Sequence, residues 1–372
     1  MSRTGISNAP KIINAEDIQD IAVGSSFLAT GGGGDPYIAQ LTTEQILKQS
    51  GGVELLSLDA VPDDALVVAI GGIGAPMVSL EKLGNGQEPL WALEALEAHV
   101  GRKADALISF EVGGANSLIP IAAAAQRNLP VIDADGMGRA LPEMQMVTFS
   151  IYGVKGTPMA VVDEFGDSVV INARNSSAAE RLVRNVSQAM GGACVSAEHM
   201  MDGATAKQVS VPGTLDLCRQ VGAAIHRHRG NPSAFLQDLE GIMGGSIYGT
   251  TRVLSEGKVV DVRRKIEGGF NIGEIVLEPF GDPENPVVIQ FRNEYLTAEQ
   301  GGRQLAMVPD LICAIDADTA LPVTAESVRF GQRMIFVGVG APEIMRREQA
   351  LEFVGPRAFD MAFDFTPLEE IA

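Results

Sequence analysis

Positive charge is scarce in this sequence. Its 372 residues carry 28 lysines and arginines against 47 acidic residues, a net charge of −19. A chain of that sign gains nothing from displacing counterions on nucleic acid or from an anionic bilayer, so neither is an expected partner. Cysteine is scarcer still: Cys194, Cys218 and Cys313 are odd in number, widely spaced and without a C-x-x-C pair. That pattern excludes a disulfide framework or a zinc knuckle as the organising device, and the three read as small buried hydrophobes. No apolar run reaches membrane-spanning length, and the first ten residues lack a signal-peptide core, so a cytoplasmic protein is expected. There is no H-E-x-x-H, no G-x-S-x-G and no G-K-[ST], which removes the usual zinc-protease, nucleophile-elbow and Walker signatures.

Glycine, by contrast, is abundant, with 42 residues that cluster at the ends of apolar runs. Ala65–Ile70 runs into Gly71-Gly-Ile-Gly74. Ala104–Phe110 runs into Glu111-Val-Gly-Gly-Ala-Asn116, and Leu129–Ile132 into Asp133-Ala-Asp-Gly136. Helical spacing lies between these runs, over Leu90–Val100 and Leu118–Arg127, after an earlier helix capped at Asn14 and stopping near Thr30 and a second at Thr43–Gln49. Buried strands alternating with helices predict an α/β domain with a mostly parallel sheet, whose ligands bind at the carboxyl ends of the strands. The three clusters are therefore expected to converge.

After about residue 147 the texture changes to short strands, read over Thr148–Val154, Pro158–Phe165 and Ser168–Ala173. A capping box at Ser177–Glu180 predicts a helix to Met190, and another helix is expected from Thr214 to Arg229. Beyond Ser246 the chain is mainly strand-like. The expected organisation is an α/β domain over 1–170 and a β-rich α+β domain over 171–372.

Gly31-Gly-Gly-Gly34 fails as a dinucleotide fingerprint, because position 36 is proline and a helix precedes the loop. Asp35 would also repel phosphate, so no nucleotide cofactor is expected. Four successive glycines instead suggest close packing of backbone against a ligand or another chain. Asp133 and Asp135 alternate onto one side of their strand. With Glu111, they either tune one another as general acid and base or hold a divalent cation through hard oxygens. Capping and pairing with Arg139 and Lys82 is the structural alternative. His226 and His228 face different sides of their helix, and Cys194 with His199 makes only a weak candidate pair.

Taken together, "ATGGGGDPY", "EVGGANSLIP", "PVIDADGMGRALPEMQM", "VPGTLDL", "GGFNIGE", "FRNEYL" and "VGPRAF" resemble, in order, the S-methyl thiohydantoin desulfurase-like family, from about Asn14 to Pro367. The resemblance implies an α/β domain, a β-rich domain and small ring amides as substrates. It places Gly31, Gly32, Gly33, Gly34, Asp35, Glu81, Lys82, Glu111, Asn116, Asp133, Asp135, Arg139 and Glu143 at the pocket, with Asn293 and Glu294 from the second domain. Hydrolysis of the ring then assigns catalysis to Glu111, Asp133 and Asp135, the same three that would hold a metal. Arg139 and Asn116 would orient the ring. A homo-oligomer is expected, and a non-catalytic subunit of a hydantoinase or oxoprolinase-type system is the alternative.

Overall fold

The computed structural model describes residues 11–74, 78, 82–268 and 270–371. Its first sheet contains β1 (Lys11–Ile13), β2 (Val53–Ser57), β3 (Leu66–Gly74), β4 (Ala106–Ser109), β5 (Val131–Asp135), β6 (Met159–Val162), β7 (Ser168–Ile171), β8 (Ala193–Asp202) and β9 (Val211–Pro212). The order is β1-β2-β5-β4-β3-β8-β6-β7, with β9 paired to β5. Strands β2, β5, β4 and β3 are parallel, as their continuous apolar runs predict, and antiparallel strands flank them. Strand β8 completes this sheet although it follows the helix beginning at Ser176.

Helices α1 (Asp17–Leu28), α2 (Tyr37–Ser50), α3 (Glu88–Val100) and α4 (Ile119–Arg127) fall where the periodicity puts them, with α2 starting earlier, beside the Asp35–Pro36 turn. Thr148–Val154 is a correction. Its first four residues form a short helix, α5 (Thr148–Ile151), whose first amide is tied to Gly136 O at 2.6 Å. A tertiary contact thus overrides the strand preference of Thr148, Phe149 and Ile151. Asn175, rather than Ser177, caps α6 (Ser176–Ala189), accepting from the Ala178 amide, while Glu180 serves elsewhere. Helix α7 (Gly203–Val209) is short. Next, α8 (Thr214–Arg227) packs on α1 through reciprocal glycines: a Cβ on Gly24 would lie 1.8 Å from Cys218 O, and one on Gly222 1.8 Å from Asp20 O. Helix α9 (Pro232–Gly244) opens at the Gly230-Asn-Pro232 break, with Asn231 as its cap.

The second sheet is antiparallel and seven-stranded: β10 (Thr251–Glu267), β11 (Phe270–Pro279), β12 (Val287–Arg292), β13 (Glu294–Gln300), β14 (Arg303–Met307), β15 (Leu311–Asp316) and β16 (Arg333–Val339), in the order β14-β13-β12-β11-β10-β16-β15. Register shifts interrupt four of its pairings, the local device that bends a sheet. An N-terminal α/β domain is thus followed by an antiparallel β domain with helices. No helix among the described residues is long and apolar enough to cross a membrane.

Arg139 joins the two. Its guanidinium is fully buried, and all five N–H groups donate: to the carbonyls of Ala140, Tyr295, Pro309 and Asp310 and to Thr30 Oγ1, at 2.9–3.1 Å. Burial pulls its pKa down to about 10, with Glu294, Cys313 and Asp310 opposing the shift, so the charge persists at neutral pH. It is held by oxygen dipoles rather than by a contacting carboxylate.

Candidate functional site

The exits of β3, β4 and β5 do converge, on a cavity of about 320 Å³ closed from one side by the turn between β12 and β13. Gly33, Gly34, Asp35, Lys82, Glu111, Asn116, Glu143, Asn293 and Glu294 line it. Gly31, Gly32, Asp133, Asp135 and Arg139 do not, and Glu81 lies outside the described residues.

The acids of β5 require the main correction. Asp133 and Asp135 share a face, as the alternation predicts, but that face meets α8 rather than the cavity. Asp133 Oδ1 accepts the amides of Leu215 and Asp216 at 3.0 Å each, occupying the N-terminus of α8 where a negative charge is favoured. Asp135 Oδ2 accepts three amides, from Val112, Met137 and Gly138, at 2.8–2.9 Å. Burial still lifts both pKa values, that of Asp135 to about 7. Asp135 therefore ties the loop after β5 to the loop after β4, and so fixes the segment that carries Glu111. Arg139 cannot grip a substrate, because every donor it has is spent on the carbonyls and hydroxyl above.

The glycine loop has a packing reason. Thr30, Gly31, Gly33 and Gly34 all have φ between 52° and 86°. A Cβ on Gly31 would lie 2.5 Å from the Tyr295 ring, one on Gly32 2.0 Å from Glu294 Oε1, and one on Gly33 2.7 Å from the Gly113 backbone. The loop is thus pressed between the second sheet and the turn after β4 of its own chain.

Glu111 is buried, and its Oε1 accepts from Asn116 Nδ2. Asn116 in turn accepts the Gly72 amide on Oδ1 at 2.6 Å, so the exits of β3 and β4 are fixed together. Burial raises the Glu111 pKa to about 8 against the opposing hydrogen bonds of Asn116 and Leu141. Glu294 stands well above the carboxylate range, first because it is buried and then because Glu111 lies near, with Arg139 opposing. Its Oε2 has no hydrogen-bond partner among the described residues. Asn293, at φ 62°, holds the turn by accepting the Asn271 amide at 2.9 Å.

Further lining residues had no place in the sequence-based site. Asp163, Glu180, Arg184, Cys194 and Glu198 complete the far wall. Arg184 is bound to Glu180 and to Pro142 O, and Lys82 to Glu164 at 2.6 Å and to the carbonyls of Met190 and Ala193. Glu180, buried and so raised in pKa, also accepts the Met144 amide. Cys194 is pushed up to about 12 by burial despite Lys82, so its thiol is neutral and a poor nucleophile. The available signal for this wall was an acid, Glu198, inside a mainly apolar run, Ala193–Met201, interrupted otherwise by Ser196 and His199.

The residues proposed for a metal do not fit one. Asp133 Oδ1 and Asp135 Oδ2 are taken up by backbone amides, neither aspartate lines the cavity, and no three His, Cys, Asp or Glu among the described residues could hold an ion.

The S-Me-THD-like N-terminal domain matches residues 16–173 and the S-Me-THD-like C-terminal domain matches residues 174–368. The chain belongs to the S-methyl thiohydantoin desulfurase-like family. A crystal structure of a protein from Chromobacterium violaceum has the same fold: TM-score 0.80, 21% identity, covering 96% of this chain and 100% of that one. No curated protein matches. Within the family fold, the cavity lies where the first sheet's parallel strands end and the second sheet's β12–β13 turn reaches across to them.

Proposed function

We propose that this member of the family hydrolyses an S-methylated thiohydantoin-type ring. Water attacks the ring carbon that bears sulfur, a C–O bond forms, the C–S bond breaks, and methanethiol leaves with a proton. The observation that carries this reading is the presence of Glu111 and Glu294 in one cavity, two buried carboxyls with raised pKa values and, among the described residues, no cation bonded to either.

Glu111, titrating close to neutral pH, takes the proton of the attacking water; a base is most effective when its pKa lies near the working pH. Glu294 remains neutral and donates to the ring nitrogen or the departing sulfur, a division of labour created by unequal environments. Asn116 and Asp135 are positioning residues: one holds the Glu111 carboxyl, the other its loop. The apolar walls, including Ile73, Phe110, Ile119, Leu141 and Val147, keep bulk water from weakening these interactions.

Purified protein is incubated with an S-methyl thiohydantoin in ¹⁸O-water, with and without chelator, and released thiol and ring product are followed together. Thiol release with one ¹⁸O in the ring carbonyl is the expected result. Absence of both between pH 6 and 9 rejects the hydrolase.

A further inference from the structure

A line of polar side chains leads out of the cavity through the first sheet, and none of it is used above. It begins at Glu198, which lines the cavity, is buried, and has an Oε2 with no hydrogen-bond partner among the described residues. Glu198 Oε1 lies 3.4 Å from His199 Nδ1, close enough for a charge contact but not hydrogen-bonded to it, and that nitrogen has no hydrogen-bond partner among the described residues. On its other side, His199 Nε2 is 2.8 Å from Ser150 Oγ, and Ser150 Oγ is 2.9 Å from Ser176 Oγ. His199 is fully buried, packed beside the Phe149 ring, whereas Ser176 is half-buried at the first position of α6 and meets solvent.

Backbone geometry makes this arrangement more than a chance contact. Val67 pairs with Met201 while Ala69 pairs with Glu198, so β8 carries one extra residue there. His199 occupies the bulge with φ 43°, a conformation in which glycine would be unstrained and a histidine is not. The bulge re-aims the strand, so that two successive side chains contribute to one polar line while the carboxylate still lines the cavity. Backbone strain kept at a polar residue beside a cavity points to a use for that side chain.

We propose that Glu198, His199, Ser150 and Ser176 form a proton relay between the cavity and solvent. Glu198 takes a proton from the cavity and, once a small turn of its carboxyl closes the 3.4 Å gap to a hydrogen bond, passes it to His199 Nδ1. The imidazolium gives its Nε2 proton to Ser150 Oγ, which passes its own to Ser176 and so to water; one proton enters and one leaves. Reorientation of the ring and hydroxyls resets the line, and the path also runs in reverse. Its purpose rests on the acid–base hydrolysis proposed above, since it would restore Glu111 and Glu294 to their starting protonation states after each turnover. The imidazole transmits the proton and touches no substrate.

Two measurements separate the relay from the hydrolase reading. In protein labelled with ¹⁵N-histidine, the His199 resonances are assigned by their loss in His199→Gly, a substitution that the backbone at 199 favours. Ser150→Ala should move the Nε2 resonance and Glu198→Gln the Nδ1 resonance. If neither moves, the line is not coupled and the relay is overturned, whatever the protein hydrolyses. For the second measurement, His199→Gly should slow thiol release on the order of tenfold or more, and added imidazole should restore it saturably at an undiminished Tm. Turnover equal to wild type, or a loss that imidazole does not restore, overturns the relay. If the wild type releases no thiol, the hydrolase reading fails alone and the nitrogen shifts decide the relay.

Discussion

Glu111 and Glu294 meet in one cavity although the first follows a parallel strand of the α/β sheet and the second opens a strand of the antiparallel sheet. Both are buried, and the charge of Glu111 adds to the upward shift of Glu294. Their place in one cavity is the basis of the proposed chemistry.

Glu111→Gln should reduce thiol release by about 10²–10⁴-fold, the range spanned by a positioned acid or base. Glu294→Gln keeps a neutral hydrogen-bond donor in place but has no proton to transfer. A small loss in that variant, measured as kcat at saturating substrate, identifies Glu294 as a donor only; a loss as large as that of Glu111→Gln identifies it as the acid.

The Glu111 base works when ionised, so kcat/KM should rise with pH through an apparent pKa near 8. Stability has the opposite sign. Between the ordinary carboxylate range and pH 7–8, the folded protein keeps protons on Glu111 and Asp135 that the unfolded chain has released. Stability is therefore lost as pH rises through that window. Tm read from pH 5 to pH 8 should fall, and Glu111→Gln should flatten the slope.

Asp133→Asn should cost about 0.5–2 kcal/mol, as weakened helix N-terminal contacts do, and leave turnover per folded molecule unchanged. Denaturant midpoints and active-fraction-corrected rates test this together. An abolished rate in a fully folded variant would return Asp133 to the chemistry.

Arg139 admits no conservative replacement. Arg139→Lys offers at most three donors where five are used, and Arg139→Met offers none; either should destabilise by at least about 3 kcal/mol, since buried acceptors lose their partners. Urea midpoints measure the loss.

Gly32→Ala tests the seat of Glu294. Its new Cβ would stand 2.0 Å from Glu294 Oε1 and 2.6 Å from Cγ, so the side chain must swing away. The expected result is a fall in kcat close to that of Glu294→Ala; an unaltered kcat would show that Glu294 need not stay there.

Much of this was legible in the residues. Apolar runs ending in glycine and acid located β3, β4 and β5 and the edge where their loops gather. Glu111, Asn116 and Glu294 share one pocket, as the family resemblance implies. Alternation correctly put Asp133 and Asp135 on one face, but it contains nothing about what covers that face. The cover is α8, a helix from some eighty positions further along whose end needs acceptors. Arg139 misled for a related reason: a lone cation beside acids suggests a pair, whereas its partners are carbonyls contributed by residues 295, 309 and 310. Glu198 was not legible because the one-residue bulge at His199 that sets its direction has no sequence mark comparable to a glycine.

The five bonds of Arg139 have a consequence for how the molecule comes apart. Their acceptors sit at the end of α1, beside Arg139 itself, and at two points of the second sheet, so neither sheet can detach without stranding a cation in a dry interior. Melting should then be a single cooperative transition, and either half expressed by itself would carry a wound where the other half used to be.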